Sequence, residues 1–266
     1  MVLRGVGFVA GVEDVSSPVY ETDHDADCLA VWAANAGWRV SPQSGLSLIS
    51  INGSPIIPVM SIRLRLKLGA KRMLDIIASI CALVLLAPLF LVIAMSIKAE
   101  SAGPALVRQW REGLKGRPIE VIKFRSMYAC HTDHSGREQA TTDDIRVTPL
   151  GRSLRRRSID ELPQLFCVLK GEMSLVGPRP HAFSMLAGGV RYDQLVPYYR
   201  TRHLLMKPGI TGWAQVNGFR GRTDDARLAR MRIDHDLAYV QNFSLWLDIV
   251  IIVRTLRQEI AFGSGA

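Results

Sequence analysis

Hydrophobic and polar positions divide this chain into unlike stretches. Residues 1 to 60 carry acids at Glu13, Asp14, Glu21, Asp23, Asp25 and Asp27 and no sustained period, which reads as a partly disordered extension. From Ile76 to Ile97 there follow 22 residues without a charge. Ala105 to Met127 alternates around a turn at Leu114-Lys115-Gly116-Arg117, the pattern of a β-hairpin. Leu162 to Lys170, closed by Gly171 and opened by Pro163, reads as a short helix. Residues 182 to 200 suggest a linker helix region with Tyr192, Tyr198 and Tyr199, and Lys207 to Gly221 a glycine-punctuated loop. From Ser244 to Ile260, Leu245, Ile249, Ile252, Val253, Leu256 and Ile260 recur at helical spacing, with Asp248, Arg254, Arg257, Gln258 and Glu259 off that stripe. This is an amphipathic helix, suited to a core or to a membrane interface.

The uncharged run exceeds the ~18 residues that mark a membrane helix. Arg63, Arg65, Lys67, Lys71 and Arg72 precede it, Lys98, Arg108 and Arg111 follow it, and Pro88 lies inside it. Positive charge marks the cytoplasmic side, so both ends belong there. A helix-break-helix that enters and leaves by one face satisfies this pattern. A straight single-pass helix is the competing reading, because spans tolerate proline. Asp75, at the mouth of the run, reads as an interfacial anchor pairing with a nearby base.

Composition sharpens the picture. The 266 residues are 48% hydrophobic, enough for a core, and a net charge of +9 calls for an acidic partner. Nucleic acid, anionic lipid and nucleotide-sugar all qualify. Cys28, Cys81, Cys130 and Cys167 lie far apart, so neither a zinc site nor a disulfide framework is indicated. His131 and His134 lack further ligands at metal spacing, and residues 128 to 143 read as a loop over the site.

Chemistry concentrates between Arg152 and Leu165. Arg152, Arg155, Arg156 and Arg157 lead directly into Asp160 and Glu161 at the start of the predicted helix. Guanidinium forks bind phosphate oxygens, while an ionised carboxylate can hold Mg²⁺ or attack phosphorus. The plainer reading is a capping box, since Ser158 and Glu161 have its spacing. Lys123 and Arg125, two apart on a strand, share one face, either as a solvated basic edge or as a phosphate-facing pair. Arg179 stands between Pro178 and Pro180, which either make a rigid turn or pre-position a guanidinium for a diphosphate. In the glycine loop, either backbone amides approach an anion or Trp213 sits at the headgroup level of a membrane.

The stretch "RSIDELPQLFCVLKGEMSLVGPRP" resembles the core signature of the bacterial sugar transferases, the monotopic phosphoglycosyl transferases. In order along the chain, "KRMLDII", "RQWREGLKGRPIEVIKFRSM", "DDIRVTPLGRSLRRRSIDELPQL", "RHLLMKPGITGWAQVNGFRG" and "NFSLWLDIVIIVRTL" are similar as well, covering residues 70 to 257. The resemblance implies a helix-rich α/β fold with a small β-hairpin. It leaves the extension over 1–60 unmatched and implies a re-entrant membrane helix over 61–103 and a cytoplasmic catalytic domain over 104–266 on the bacterial inner membrane. Asp160 and Glu161 become the catalytic and Mg²⁺-binding acids. Lys123, Arg125, Arg146, Arg152, Arg155, Arg179, Pro180, Arg202, Lys207 and Gln215 become substrate contacts. The implied reaction moves a sugar-1-phosphate from a UDP-sugar to polyprenyl phosphate through a phosphosugar-aspartyl intermediate. Membrane lipid is then a partner, nucleic acid is not, and a homo-oligomer stays open. "GPRPHA" and "PGITGWAQVNGFRG" resemble the glucose-1-phosphate branch. Ala87, Arg157 and Cys167 depart from the Ser, Thr and Asn that relatives usually carry. A non-enzymatic, membrane-tethered basic protein is the alternative, and an aspartyl-phosphate phosphatase or ATPase ranks third.

Overall fold

The computed structural model describes residues 46–49, 57–60, 62–131, 144–183, 185–196, 198–203, 206–221 and 223–261. Expectations about residues 1–45 and about His134 lie outside the described residues. Two short strands fall within the segment read as an extension. They are β1, Leu46–Ile49, and β2, Ile57–Met60, paired antiparallel from Leu46↔Met60 to Ile49↔Ile57.

Helix α1 spans Ile62–Glu100 and is long and apolar enough to cross a membrane. It runs without interruption through Pro88, where the sequence predicts a helix-break-helix. A proline removes one backbone hydrogen bond, but the flanking turns keep theirs, so helix persists on both sides. Buried positions recur at Lys71, Asp75 and Ser79, and again at Ile93 and Ile97. Between them Ile80, Val84, Leu85, Leu89, Leu91 and Val92 are exposed, apolar surface that belongs in lipid rather than in water.

Both shoulders of α1 rest on one body. At the first, the Lys71 ammonium meets Asp248 at 2.7 Å, both buried, and Arg72 donates to the carbonyls of Val168 and Leu169 at 2.5 and 2.8 Å. Asp75 makes no ion pair among the described residues: its Oδ1 accepts the Leu175 amide at 3.0 Å, while its charge acts on the nearby base Lys207. At the far shoulder Ile93 and Ile97 pack with Ala105, Phe124 and Leu154.

Strands β3, Leu106–Glu112, and β4, Pro118–Phe124, form the expected hairpin, in register from Leu106↔Phe124 to Glu112↔Pro118. Its turn contains Lys115 at φ 58° and Gly116 at φ 70°. Ile119, Val121 and Ile122 of β4 face a core with Cys167, Val168 and Met173. Helix α2, Pro149–Arg156, starts where the Thr148 hydroxyl accepts the Gly151 amide at 2.9 Å. Helix α3, Gln164–Lys170, ends at Gly171 with φ 86°, a left-handed cap that glycine supplies without a Cβ penalty.

Strand β5, Ser174–Val176, pairs in parallel with β8, Gly209–Thr211. The glycines here serve close backbone approach. A Cβ on Gly209 would lie 2.1 Å from the Gly177 amide nitrogen, and one on Gly212 would lie 2.4 Å from the Gly177 carbonyl. Helix α5, Trp213–Val216, follows, and Trp213 is only 4% exposed, beneath the Arg254 guanidinium. This corrects the placement of Trp213 at a membrane surface.

The predicted linker helix over 182 to 200 is mostly another structure. Strands β6, Leu186–Ala187, and β7, Val190–Arg191, turn at Gly188 and Gly189, both with positive φ, before a single turn of α4, Tyr192–Leu195. Gly-Gly between apolar residues is a hairpin signal that outranks weak helical spacing here. Tyr192, Tyr199, Ala229 and Ile233 then build a second core against α6, Ala226–Gln241. The last helix, α7, Leu245–Ala261, is amphipathic with its faces rotated from expectation. Leu247, Asp248 and Ile251 are buried, while Trp246, Ile249, Val253 and Leu256 are exposed. Asp248 can turn inward because Lys71 and the Tyr239 hydroxyl, 2.7 Å from Oδ1, meet it there.

Candidate active site

The acid pair occupies a 3₁₀ turn, Ile159–Glu161, between α2 and α3. Ser158 before it adopts φ 51° and makes no side-chain cap bond. Its hydroxyl instead donates to Glu259 on α7 at 3.3 Å, and Arg220 pairs with the same Glu259 oxygen. Glu161 likewise does no capping, so the capping-box reading fails: both members of the motif are engaged elsewhere.

Glu161 is gripped from two directions. Lys123, near the end of β4, donates to Oε1 at 2.7 Å. Arg179, from the loop after β5, donates Nη2 to Oε1 at 2.7 Å and Nη1 to Oε2 at 3.2 Å, the fork-to-fork geometry that fixes orientation as well as charge. Asp160 differs. Its side chain is buried, with the residue 9% exposed, and among the described residues its carboxylate accepts no hydrogen bond.

Electrostatics separate the two acids further. Burial pushes Asp160 above the ordinary carboxylate range, opposed by Lys123 and reinforced by the Glu161 charge, with Arg155 and Arg179 also pulling down. Burial would raise Glu161 as well, but Arg179 and Lys123 together outweigh it and hold Glu161 well below that range. The pair therefore consists of a locked anion beside an open carboxyl in a ring of cations.

Behind Arg179 stands a buried strut. Arg202, 0% exposed, donates to the Arg179 carbonyl at 2.8 Å and to Asp236 of α6 at 3.2 Å, and lies 4.3 Å over the Tyr199 ring. Two residues beyond Arg179, the His181 ring sits 4.6 Å from that of Tyr192, and the His181 carbonyl accepts the Glu112 amide at 2.9 Å. The Gly177-Pro178-Arg179-Pro180 turn is thus fastened from β3, α6 and the segment around Tyr199.

The predicted residues sort by place. Lys123, Arg155 and Arg179 converge on the acid pair, with half-buried Pro180 beside Arg179. Arg125 does not join them. The strand has ended by Arg125, whose guanidinium donates to the carbonyls of Ser101, at 2.6 Å, and Ala102, at 2.5 Å, closing the end of α1. Arg146 forks onto Asp144, and Arg152 is exposed on α2. Arg202 acts on the site through a backbone carbonyl rather than facing it. Lys207 lies against Gly171 beside Arg72, and Gln215 is buried, donating to the Ile210 carbonyl at 3.2 Å. Asp236 and Glu259 escape a sequence reading, since a polar residue on an amphipathic helix carries no mark of the partner it meets, and so do Tyr199, in a 3₁₀ turn, and Arg220, in a loop, whose partners lie far along the chain.

A Mg²⁺ ion is commonly held through one or two carboxylates plus substrate phosphates. Asp160 fits that role, with a carboxylate that no protein donor among the described residues occupies. Glu161 fits it less well, because Lys123 and Arg179 claim both oxygens.

Residues 66–261 match the family described as bacterial sugar transferase. The chain belongs to that family. It is 42% identical over 253 residues to the UDP-glucose:undecaprenyl-phosphate glucose-1-phosphate transferase of Caulobacter vibrioides, covering 91% of each chain. It is 48% identical over 207 residues to a Klebsiella pneumoniae protein of the same name, covering 77% of this chain and 43% of that one. It is 50% identical over 195 residues to the exopolysaccharide production protein PSS of Rhizobium leguminosarum, covering 73% of this chain and 97% of the relative. The chain thus spans less than half of the Klebsiella relative and nearly all of the Caulobacter and Rhizobium ones.

Proposed function

We propose that this bacterial sugar transferase moves a hexose-1-phosphate, of glucose or galactose type, from a UDP-sugar to polyprenyl phosphate and releases UMP. The step would open exopolysaccharide or related glycoconjugate synthesis at the cytoplasmic face of the inner membrane. The observation that carries the reading is the division of the acid pair, an unbonded Asp160 beside a Glu161 locked by Lys123 and Arg179. An Asp160 oxygen attacks the sugar-bearing phosphorus as the bond to UMP breaks, and UMP leaves with that electron pair. An oxygen of the lipid phosphate then attacks the same phosphorus and expels the Asp160 carboxylate. Lys123, Arg155 and Arg179 balance the charge that develops on the phosphoryl oxygens. Asp160 is the residue that would hold Mg²⁺ together with substrate phosphate, and the ion supplies further neutralisation of that charge when bound.

The re-entrant course belongs to this proposal. Supporting it, both shoulders of α1 rest on the same body while the middle stretch around Pro88 stands exposed. The exposed stripe Trp246, Ile249, Val253 and Leu256 supports α7 lying in the membrane interface. The decisive test incubates purified protein with Mg²⁺, polyprenyl phosphate and a panel of UDP-sugars. UMP release with one or a few of them is the expected result, and none with any would refute the assignment.

A further inference from the structure

Resting on that reaction, we propose that Leu162 and Phe166 of the α3 segment, with Phe90 of α1, form the seat for the first isoprene units of the lipid acceptor. The acceptor is an amphiphile. Its phosphate must reach the phosphorus on Asp160 while its tail stays in an apolar medium, so an apolar path must join the acid pair to the lipid-exposed part of α1.

One path is present. The 3₁₀ turn that carries Asp160 begins at Ile159, which packs against the cluster of Ile93, Ile97, Phe124 and Leu154 that Phe90 and Ala94 also flank. Leu162 directly follows Glu161, has helical φ and ψ, and is partly exposed. Phe166 stands four residues later, one turn along the same face. It is 42% exposed although Cys167 and Val168 beside it are fully buried. Its ring meets Phe90 edge-on at 6.4 Å, and Phe90 meets Phe124 at 5.2 Å. Phe90 lies two residues past Pro88, beside exposed Leu89 and Leu91. Apolar surface therefore continues from the exposed middle of α1, across Phe90 and Phe166, to Leu162 and the acid pair. At that end wait Lys123 and Arg179, the cations a phosphate head requires. Flat aromatic edges suit a branched, unsaturated chain, and α3 holds Phe166 rigidly through its buried neighbours.

The test uses Phe166→Ala and Phe90→Ala in the full chain, with Phe166→Leu as the conservative control. UMP released from UDP-sugar without any lipid reads the first half-reaction and counts folded sites. kcat/KM is then measured for undecaprenyl phosphate and for ethyl phosphate, which has no isoprene unit. Both alanine variants should keep the lipid-independent UMP yield, lose about tenfold in kcat/KM for the long acceptor, and lose little for the short one, as expected when a pocket contact with one substrate part is removed. Phe166→Leu should recover most of the loss. Equal losses for both acceptors, or none for the long one, overturn the seat. So does loss of the protein from membrane vesicles in step with activity, which would make Phe166 a bilayer anchor. If the unaltered protein releases no UMP with or without lipid, the transferase reading itself falls, and the seat with it.

Discussion

Arg179 and Glu161 meet fork to fork at 2.7 and 3.2 Å, while Asp160, one residue earlier, is bonded to nothing among the described residues. Two adjacent carboxylates buried together would repel each other. Here the cation grip offsets much of the charge of Glu161, and what remains still adds to the upward push of burial on Asp160. The same arginine that fixes one acid therefore lets the other stand ready without a partner.

Asp160→Asn and Glu161→Gln should consequently fail in different ways. Asp160 is held above the ordinary carboxylate range, so its ionised form costs stability at neutral pH. The amide in Asp160→Asn removes that cost together with the nucleophile. We expect no UMP release and an unchanged or higher Tm at pH 7.5. Glu161→Gln instead leaves Lys123 and Arg179 without their anion and should cost about 2 kcal/mol of stability. Full turnover by the Asp160→Asn variant would remove Asp160 from the nucleophile role.

Arg179→Lys keeps a positive charge but exchanges a two-pronged grip for a point charge. Glu161 then loses its fixed orientation, and the phosphoryl oxygens lose a positioned donor. A fall of about 100-fold in kcat/KM for UDP-sugar is expected, the scale of removing one pre-positioned donor. Steady-state UMP assays would measure it, and a loss of less than about threefold would mean that charge alone suffices.

Local patterns make much of this legible. The hairpin turn, the short helix closed by Gly171 and the place of the acid pair all follow from sequence, because each depends on neighbours within a few residues. Arg155 is legible too, as a charge beside the acid pair, whereas Lys123 and Arg179, 38 and 18 positions from Glu161, are placed at the site by the resemblance. The misses depend on distant partners. Arg125 leaves the site because the end of α1 arrives beside it with carbonyls to satisfy. The buried face of α7 contains Asp248 because Lys71 reaches it from 177 positions away. Hydrophobic periodicity cannot register a charge whose partner lies so far along the chain.

That same pair yields a stability prediction. Lys71→Met should leave Asp248 buried without its cation, and removing one partner of a buried pair costs about 3–5 kcal/mol. Adding Asp248→Asn to Lys71→Met should recover a large part, since the uncompensated charge is then gone. Thermal unfolding in detergent would compare the three proteins. Additive losses in the double variant would show that the two side chains do not depend on each other.

The course of α1 can be read by labelling. Single cysteines introduced near Lys67 and near Arg108, in a background without reactive native cysteines, should both react from the cytoplasmic side of intact cells. Each flank touches the same body, at Lys71 in one case and through Ala105 and Phe124 in the other. Labelling of the Lys67 region from the periplasm alone would make α1 a single-pass span.

Asp236 tests whether the strut behind Arg179 serves the reaction or only the fold. It holds Arg202, whose other hydrogen bond fixes the Arg179 carbonyl. Burial pushes Asp236 up to about 6 from the ordinary 3.8, against the pull of Arg202. The folded state thus binds the proton more tightly than the unfolded chain does, and the ionised form costs stability at pH values above about 6. That cost is relieved as pH falls from about 6 toward about 4. An amide carries no such pH-dependent cost but leaves the buried Arg202 without its anion, so Asp236→Asn should lose Tm relative to the unaltered protein, and the deficit should be smaller at pH 8 than at pH 5. Activity should fall as well. Without its anion Arg202 no longer anchors the turn, and kcat should drop about tenfold, with KM for the lipid acceptor little changed, as a displaced Arg179 misses the transition state rather than the tail. A variant that is equally active would show that Asp236 and Arg202 merely fill the core, and one whose Tm deficit stays constant with pH would show that burial does not set the Asp236 proton affinity.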